Sequence, residues 1–443
     1  MNSPIATTAT GSVLRGVLEK LRNNEALRET VALYAVHGAT YFLPLLVIPL
    51  VVRVLGPEQW GLLSMFQSFA LYTSMLIEYG FGLSGTRDVA RLRSDAGARA
   101  QVLADVTAAK LILLAALGTV ITALWFALPL FQEHSRLFGA AVFFAVAQGA
   151  SVVWYLQGAG QTARIAKAEV ISRSVATLLV FAFLRRPDQG WLLLLFNGLA
   201  ALASVVIGVV LIKADTPLMR PVWAGGVRAL QSGLSMFFFR GAVSMYTLGN
   251  AFILGLFVAP QMVGYYSGAE RISKGFLGLM QPLAQSLFAQ LNHRLHQAEP
   301  DPQRLGRFSV ALLGGVGAVL GVVIWTAAPL LVRILLGPGF ESSIAPLRIL
   351  ALLPVLVGLG TALGMNWMLP RGLDRQFNTV IAAAGVLNVV LAWLLAPGLQ
   401  HIGMCIAVTA SEAFVVAGCF TYLRIRKMDP FSHGKTNEAA VAR

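Results

Sequence analysis

Three cations and one carboxylate occupy stretches too apolar to hold them bare. Arg240 lies in "FFFRGAVSMYT" (237–247), the one charged side chain between Leu230 and Val258, and Glu270, Arg271 and Lys274 lie in "GYYSGAERISKGF" (264–276). Placing an unpaired cation in hydrocarbon costs at least about 2.5 to 3.5 kcal/mol, so each needs a partner, water or a ligand. Arg271 and Lys274 share a helical face, and Glu270, four residues before Lys274, can pair with it. One carboxylate against three cations leaves a positive excess. Two readings follow: a solvated cationic chamber in which Arg240, Arg271 and Lys274 bind a substrate phosphate, or a set of structural pairs inside a helix bundle. The first suits a diphosphate, because arginine offers a planar donor fork and lysine a point charge in place of water.

Glu78 and Glu412 are further carboxylates in apolar segments. Each, like Glu270, is either a titrating group that couples proton or ion movement to transport or a charge partner or neutral acid inside its bundle. Trp154, Tyr155, Gln157, Tyr246, Asn250 and Tyr266, with Gln67, Asn366 and Trp367, offer stacking faces and amides to sugars, or else anchor and bond helices. Lys110 is expected to reach the inner surface with its long stem. Cys405 and Cys419 would lie about 21 Å apart on one helix, too far for a disulfide. No metal-ligand spacing, nucleophilic triad or phosphate loop occurs, so the chain implies neither a catalytic residue nor a cofactor.

The elements that position these residues follow from composition. The 443 residues are 57% hydrophobic and 12% charged, with a mean hydropathy of +0.71. This excludes an ordinary soluble domain and a disordered chain. Apolar runs long enough to cross a core about 30 Å thick number twelve: 31–52, 60–83, 106–128, 137–157, 168–184, 190–212, 230–258, 262–290, 308–336, 344–369, 377–396 and 401–423. The expected class is therefore an all-α polytopic membrane protein. If the N terminus is inside, 23 of the 34 lysines and arginines fall in cytoplasmic segments and six on the other side (Arg53, Arg136, Arg185, Arg186, Arg333 and Arg348), the rest lying within spans. That asymmetry places both termini in the cytoplasm. It also assigns the net charge of +14 to topology and anionic lipid rather than to nucleic acid.

Two halves are expected. "GPEQWGLLS" (56–64) aligns with "APQMVGYYS" (259–267), pairing Pro57 with Pro260, Gly61 with Gly264 and Ser64 with Ser267. The organisation predicted is a segment 1–30 with an interfacial helix (Val13, Leu14, Val17, Leu18 and Leu21 on one face), a six-helix lobe 31–213, a basic linker 214–229, a second lobe 230–425 and a tail 426–443. An even repeat relates the lobes by a pseudo-two-fold along the membrane normal, with the chamber between them.

"YFLPLLVIPLVVRVLGPEQWGLLSMFQSFALY" (41–72), "EYGFGLSGTRDVARLRS" (78–94), "WYLQGAGQTARIAKAEVISRS" (154–174) and "VGYYSGAERISKGFLGLMQPLAQSLFAQLNHRL" (263–295) resemble segments of bacterial O-antigen and polysaccharide flippases, the Wzx branch of the multidrug/oligosaccharidyl-lipid/polysaccharide superfamily. The resemblance implies a V-shaped pair of lobes in the bacterial inner membrane. It also implies translocation of undecaprenyl-pyrophosphate-linked glycan from inner to outer leaflet, alongside other polysaccharide-assembly proteins. A lipid II flippase shares the pyrophosphate logic. A multidrug exporter with cationic substrates would favour an acidic chamber, and a membrane polymerase or ligase would carry a larger outer loop than any here.

Overall fold

The computed structural model describes residues 25–296 and 302–431. The expected interfacial helix and most of the C-terminal tail lie outside the described residues, which contain helices and no strand. In chain order the helices are α1 (Glu25–Glu78), α2 (Phe81–Arg91), α3 (Ala96–Ala127), α4 (Pro129–Glu133), α5 (Ser135–Gly149), α6 (Val153–Gly158), α7 (Thr162–Phe183), α8 (Trp191–Asp215), α9 (Trp223–Leu248), α10 (Asn250–Gly255), α11 (Pro260–His296), α12 (Pro302–Leu335), α13 (Ile344–Leu350), α14 (Leu353–Gly360) and α15 (Asp374–Ile425). A π-helical turn, Thr361–Met368, follows α14.

Each apolar run of the sequence coincides with helix, but the boundaries between runs differ from loops. The first two runs join in α1 across a bend at Gly56, whose φ of 69° glycine adopts without strain. The last two join in α15 across Gln400, with φ 51°. Among the described residues, seven stretches are long and apolar enough by themselves to cross a membrane. Some of these are themselves interrupted. Tyr79 and Gly80, both at positive φ, end α1 and start the short α2 on a new axis, and the fourth run breaks between Gly149 and Val153. Asp95 caps α3 by accepting from the Ala98 amide at 2.9 Å, one of the orphan donors at a helix start.

The core is shared at one end of the molecule and divided at the other. Near the Gly56 bend one cluster runs from Val52, Trp60 and Phe66 of α1 through Phe138 and Leu194 to Leu254, Tyr266, Ile324, Leu347 and Met404. It therefore draws on both sequence halves. Towards the opposite ends of the helices the packing separates into a cluster around Phe81, Leu103, Trp154 and Ile212 and others around Trp367 and Leu423 and around Met280 and Leu313. The start of α9 leans on the first half: Phe237 stacks on Tyr79 with ring centroids 4.3 Å apart, and Arg228 reaches Asp105 at 3.7 Å.

The repeated motif lies at the join. A methyl group added at Gly61 would stand 1.7 Å from the Pro260 carbonyl oxygen, and one at Gly264 would stand 2.0 Å from that of Pro57. The four residues paired by the sequence alignment thus meet reciprocally, α1 against α11, so closely that only hydrogen fits at either glycine. Further along the same seam Met65 packs against Gly255 and Phe69 against Phe252, centroids 5.6 Å apart.

Lys110 corrects an expectation. Its side chain is buried, donating to the Ser151 carbonyl at 2.8 Å, with the Glu78 carboxylate near enough to act on it electrostatically. The carbonyl is exposed to it by the helix break after Gly149, so the ammonium turns into the bundle instead of towards the surface. Removing one partner of a buried charge pair costs about 3 to 5 kcal/mol. Lys110→Met should lower the melting temperature of the purified protein, and adding Glu78→Gln should restore most of it. A single variant as stable as the parent would show the ammonium to be solvated.

Candidate functional site

Glu270, Arg271 and Lys274 lie on successive turns of α11, and their partners separate them. Lys274 pairs with Glu270 at 3.0 Å and donates to the Thr247 carbonyl at 3.2 Å. Glu270 also accepts from the Tyr266 hydroxyl at 2.9 Å, and Tyr266 shares a hydrogen bond with Asn250. This network stays within the second half, linking the end of α9, α10 and α11. It neutralises one cation with one carboxylate.

Arg271 turns the other way, across the seam. Its guanidinium donates to the Gln67 side-chain oxygen and lies over the Trp60 ring, 4.5 Å from the centroid. Both contacts are with α1, so this arginine bridges the two sequence halves. The amide oxygen and the aromatic face are both neutral groups, and the adjacent Glu270 carboxylate is near enough to act on the guanidinium electrostatically. Ser64 and Ser267, the third matched pair of the repeat, are buried in the same seam.

Arg240 and Tyr246 belong to α9 by backbone, but their side chains lie outside the described residues. Glu412 is half-buried on α15, which packs against α9, and it has no ion-pair partner among the described residues. Glu78 sits beside Lys110, remote in sequence from the α11 cluster and on the other half.

The residues expected to offer faces and amides to sugar are placed as follows in this conformation. Trp154, Tyr155, Asn250 and Tyr266 are buried. Trp154 fills the space left by Gly85, and the Tyr155 hydroxyl meets that of Thr216 at 2.7 Å, so both pack inside the first half. Asn366 donates to Ser309, and Trp367 donates to the Met428 carbonyl while Arg371 covers its ring at 3.3 Å. Gln157 is exposed. Trp60 was not among the expected residues, although its place immediately before Gly61 in the repeated motif was a usable signal.

A multi-helix membrane protein with a polar, arginine-bridged seam between α1 and α11 is the class these features define. The chain belongs to the family described as "Polysaccharide biosynthesis protein", whose profile matches residues 26–288. It is 26% identical over 409 residues to a protein named "Putative O-antigen transporter" from Escherichia coli (strain K12), covering 90% of this chain and 97% of that one. It is 23% identical to a protein of the same name from Shigella dysenteriae, covering 88% and 98%. Among solved structures, the fold is similar to an inward-facing multidrug resistance MATE family transporter of the MOP superfamily, with a TM-score of 0.64, 16% identity and coverage of 87% and 94%. It is also similar to the lipid II flippase MurJ in an inward closed conformation, with a TM-score of 0.61, 12% identity and coverage of 89% of each chain. The likeness to these two structures is one of fold.

Proposed function

We propose that the protein is a flippase that carries an undecaprenyl-pyrophosphate-linked oligosaccharide, an O-antigen or exopolysaccharide unit, from the inner to the outer leaflet of the bacterial inner membrane. It does so by alternating access between two six-helix lobes, without bond chemistry. The observation that carries this reading is Arg271: a cation at the join of the two halves that bonds and stacks on neutral groups of α1, while the Glu270 carboxylate near enough to act on it is also paired with Lys274. A cation so placed is available to an anionic ligand when the seam opens. Arg240, near the membrane midplane at about ten residues or roughly 15 Å beyond Leu230, where the apolar run begins, completes the phosphate site, with Lys274 as a third cation.

With both termini cytoplasmic, the Gly61–Gly264 seam lies at the outer end, so this conformation is closed outwards and its divided inner end admits substrate. The reciprocal glycine contact supports the pseudo-two-fold between lobes 31–213 and 230–425. The O-antigen relatives support the glycan class, and the positive seam disfavours a cationic drug as cargo. The test uses cells whose own O-antigen flippase is deleted and whose lipid-linked units are otherwise complete. Expressing this protein should move those units to the outer leaflet and restore surface polysaccharide, and Arg240→Ala should abolish the restoration at unchanged abundance. Units retained on the inner leaflet, with correct insertion of the protein, would refute the glycan reading; rescue of a lipid II flippase deletion instead would reassign the cargo.

A further inference from the structure

We propose that the connection between α8 and α9 is a membrane-interface anchor that docks on the anionic headgroup surface of the inner leaflet. The connection presents four large apolar side chains to the outside: Leu218 is 50% exposed, Met219 43%, Val222 57% and Trp223 69%. Residues 217–222 are not helical. Irregular backbone of this kind cannot enter hydrocarbon, where unsatisfied N–H and C=O groups are prohibitive, but it is at home among headgroups. Two of its positions, Pro217 and Pro221, carry no N–H at all.

The segment is held out on purpose-built footings. On one side Gln161 donates to the Asp215 carboxylate and the buried Thr216 bonds Tyr155. On the other, Asp105 receives Arg228 and Gln101, at 3.7 and 2.7 Å. Both ends are thus fixed to the first half, while the apolar tips between them touch nothing that would cover them. The occupant follows from position and charge. The connection continues directly from two helices read as membrane-spanning, which puts it within a turn or so of the bilayer surface. Its exposed cations, Arg220 and Lys213, complement anionic lipid, and a tryptophan with aliphatic neighbours is the composition that partitions at the headgroup level. The anchor would fix the foot of α9, the helix that carries Arg240, to the leaflet from which substrate enters. The inference rests on a cytoplasmic placement of the connection and not on the identity of the cargo.

The test places a nitrobenzoxadiazole probe on the full-length protein in nanodiscs, at Val222→Cys and, for comparison, at Ser94→Cys in an exposed turn. The native cysteines are buried, and the labelled parent gives the background. The probe at 222 should emit at shorter wavelength and be quenched several-fold more than at 94 by lipid carrying a shallow doxyl group. It should be shielded from aqueous iodide, and more so in discs of phosphatidylglycerol than of phosphatidylcholine. Arg220→Glu should remove the difference between the two lipids. Equal iodide quenching at 222 and 94 would show a solvated loop, and shielding from both iodide and doxyl lipid would show a protein cover, a second copy included; either result overturns the proposal.

Discussion

Gly61→Ala, like Gly264→Ala, should reduce surface delivery of polysaccharide to background while the protein still inserts at normal abundance. The added methyl would lie 1.7 Å from the Pro260 carbonyl oxygen in the first case and 2.0 Å from that of Pro57 in the second. A backbone carbonyl cannot step aside as a flexible side chain can, so the lobes must part at that end. Because close-packed interfaces switch between discrete arrangements rather than deforming gradually, the substitution should remove the outward-closed state altogether. The readout that separates this from general damage is accessibility. Ser267→Cys, buried in the parent, should react with an impermeant thiol reagent added from outside only when Gly61→Ala is also present. Gly118→Ala, where a methyl meets nothing within 4 Å, should behave as the parent. Low labelling of Ser267→Cys in the Gly61→Ala background, with transport lost, would show that the glycine contact is not the outer closure.

This contact also shows how far the sequence could be read. Helix positions were legible because burial in hydrocarbon demands apolar runs about 20 residues long, and the motif pairing Pro57 with Pro260 and Gly61 with Gly264 was visible as a repeat. What the repeat could not say is that its two copies touch. A glycine is required here by a backbone carbonyl far away in the chain, Pro260 for Gly61 and Pro57 for Gly264, and no local pattern encodes that neighbour. Lys110 illustrates the same limit. Its distance from the inner surface suggested an outward reach, but the broken helix at Gly149–Val153 exposes a carbonyl inside the bundle, and a free acceptor at 2.8 Å decides the direction. Trp154 and Tyr155 are polar aromatics at membrane depth, and that same character serves interhelical packing when the neighbour is Gly85 or Thr216. Residue type fixed what these side chains can do, while the tertiary neighbours fixed which of the alternatives they do.

Arg271 offers the sharpest separation between a structural and a substrate-binding role, because the two predict opposite stability. Burying a guanidinium against an amide oxygen and an aromatic face, with the one nearby carboxylate, Glu270, bonded to Lys274, incurs a desolvation cost that these contacts only partly offset. An apolar side chain of similar length avoids that cost. Arg271→Met should therefore leave the melting temperature of the purified protein unchanged or raised, yet reduce transport by about 100-fold or more, the equivalent of losing roughly 3 kcal/mol of interaction with the translocating anion. Arg271→Lys should retain part of the activity, since it keeps the charge but not the planar fork. The adjacent pair should respond differently. Lys274→Met leaves Glu270 half-buried without its partner and should lower stability, whereas Glu270→Gln with Lys274→Met removes both charges together and should recover much of what the single change loses. If Arg271→Met lost stability and transport in parallel, the guanidinium would be a strut between the halves. Transport at the parental level in that variant would remove Arg271 from the phosphate site. Only a stable protein that no longer moves its cargo fits a cation kept in the seam, at a cost to the fold, for a ligand that arrives from the membrane.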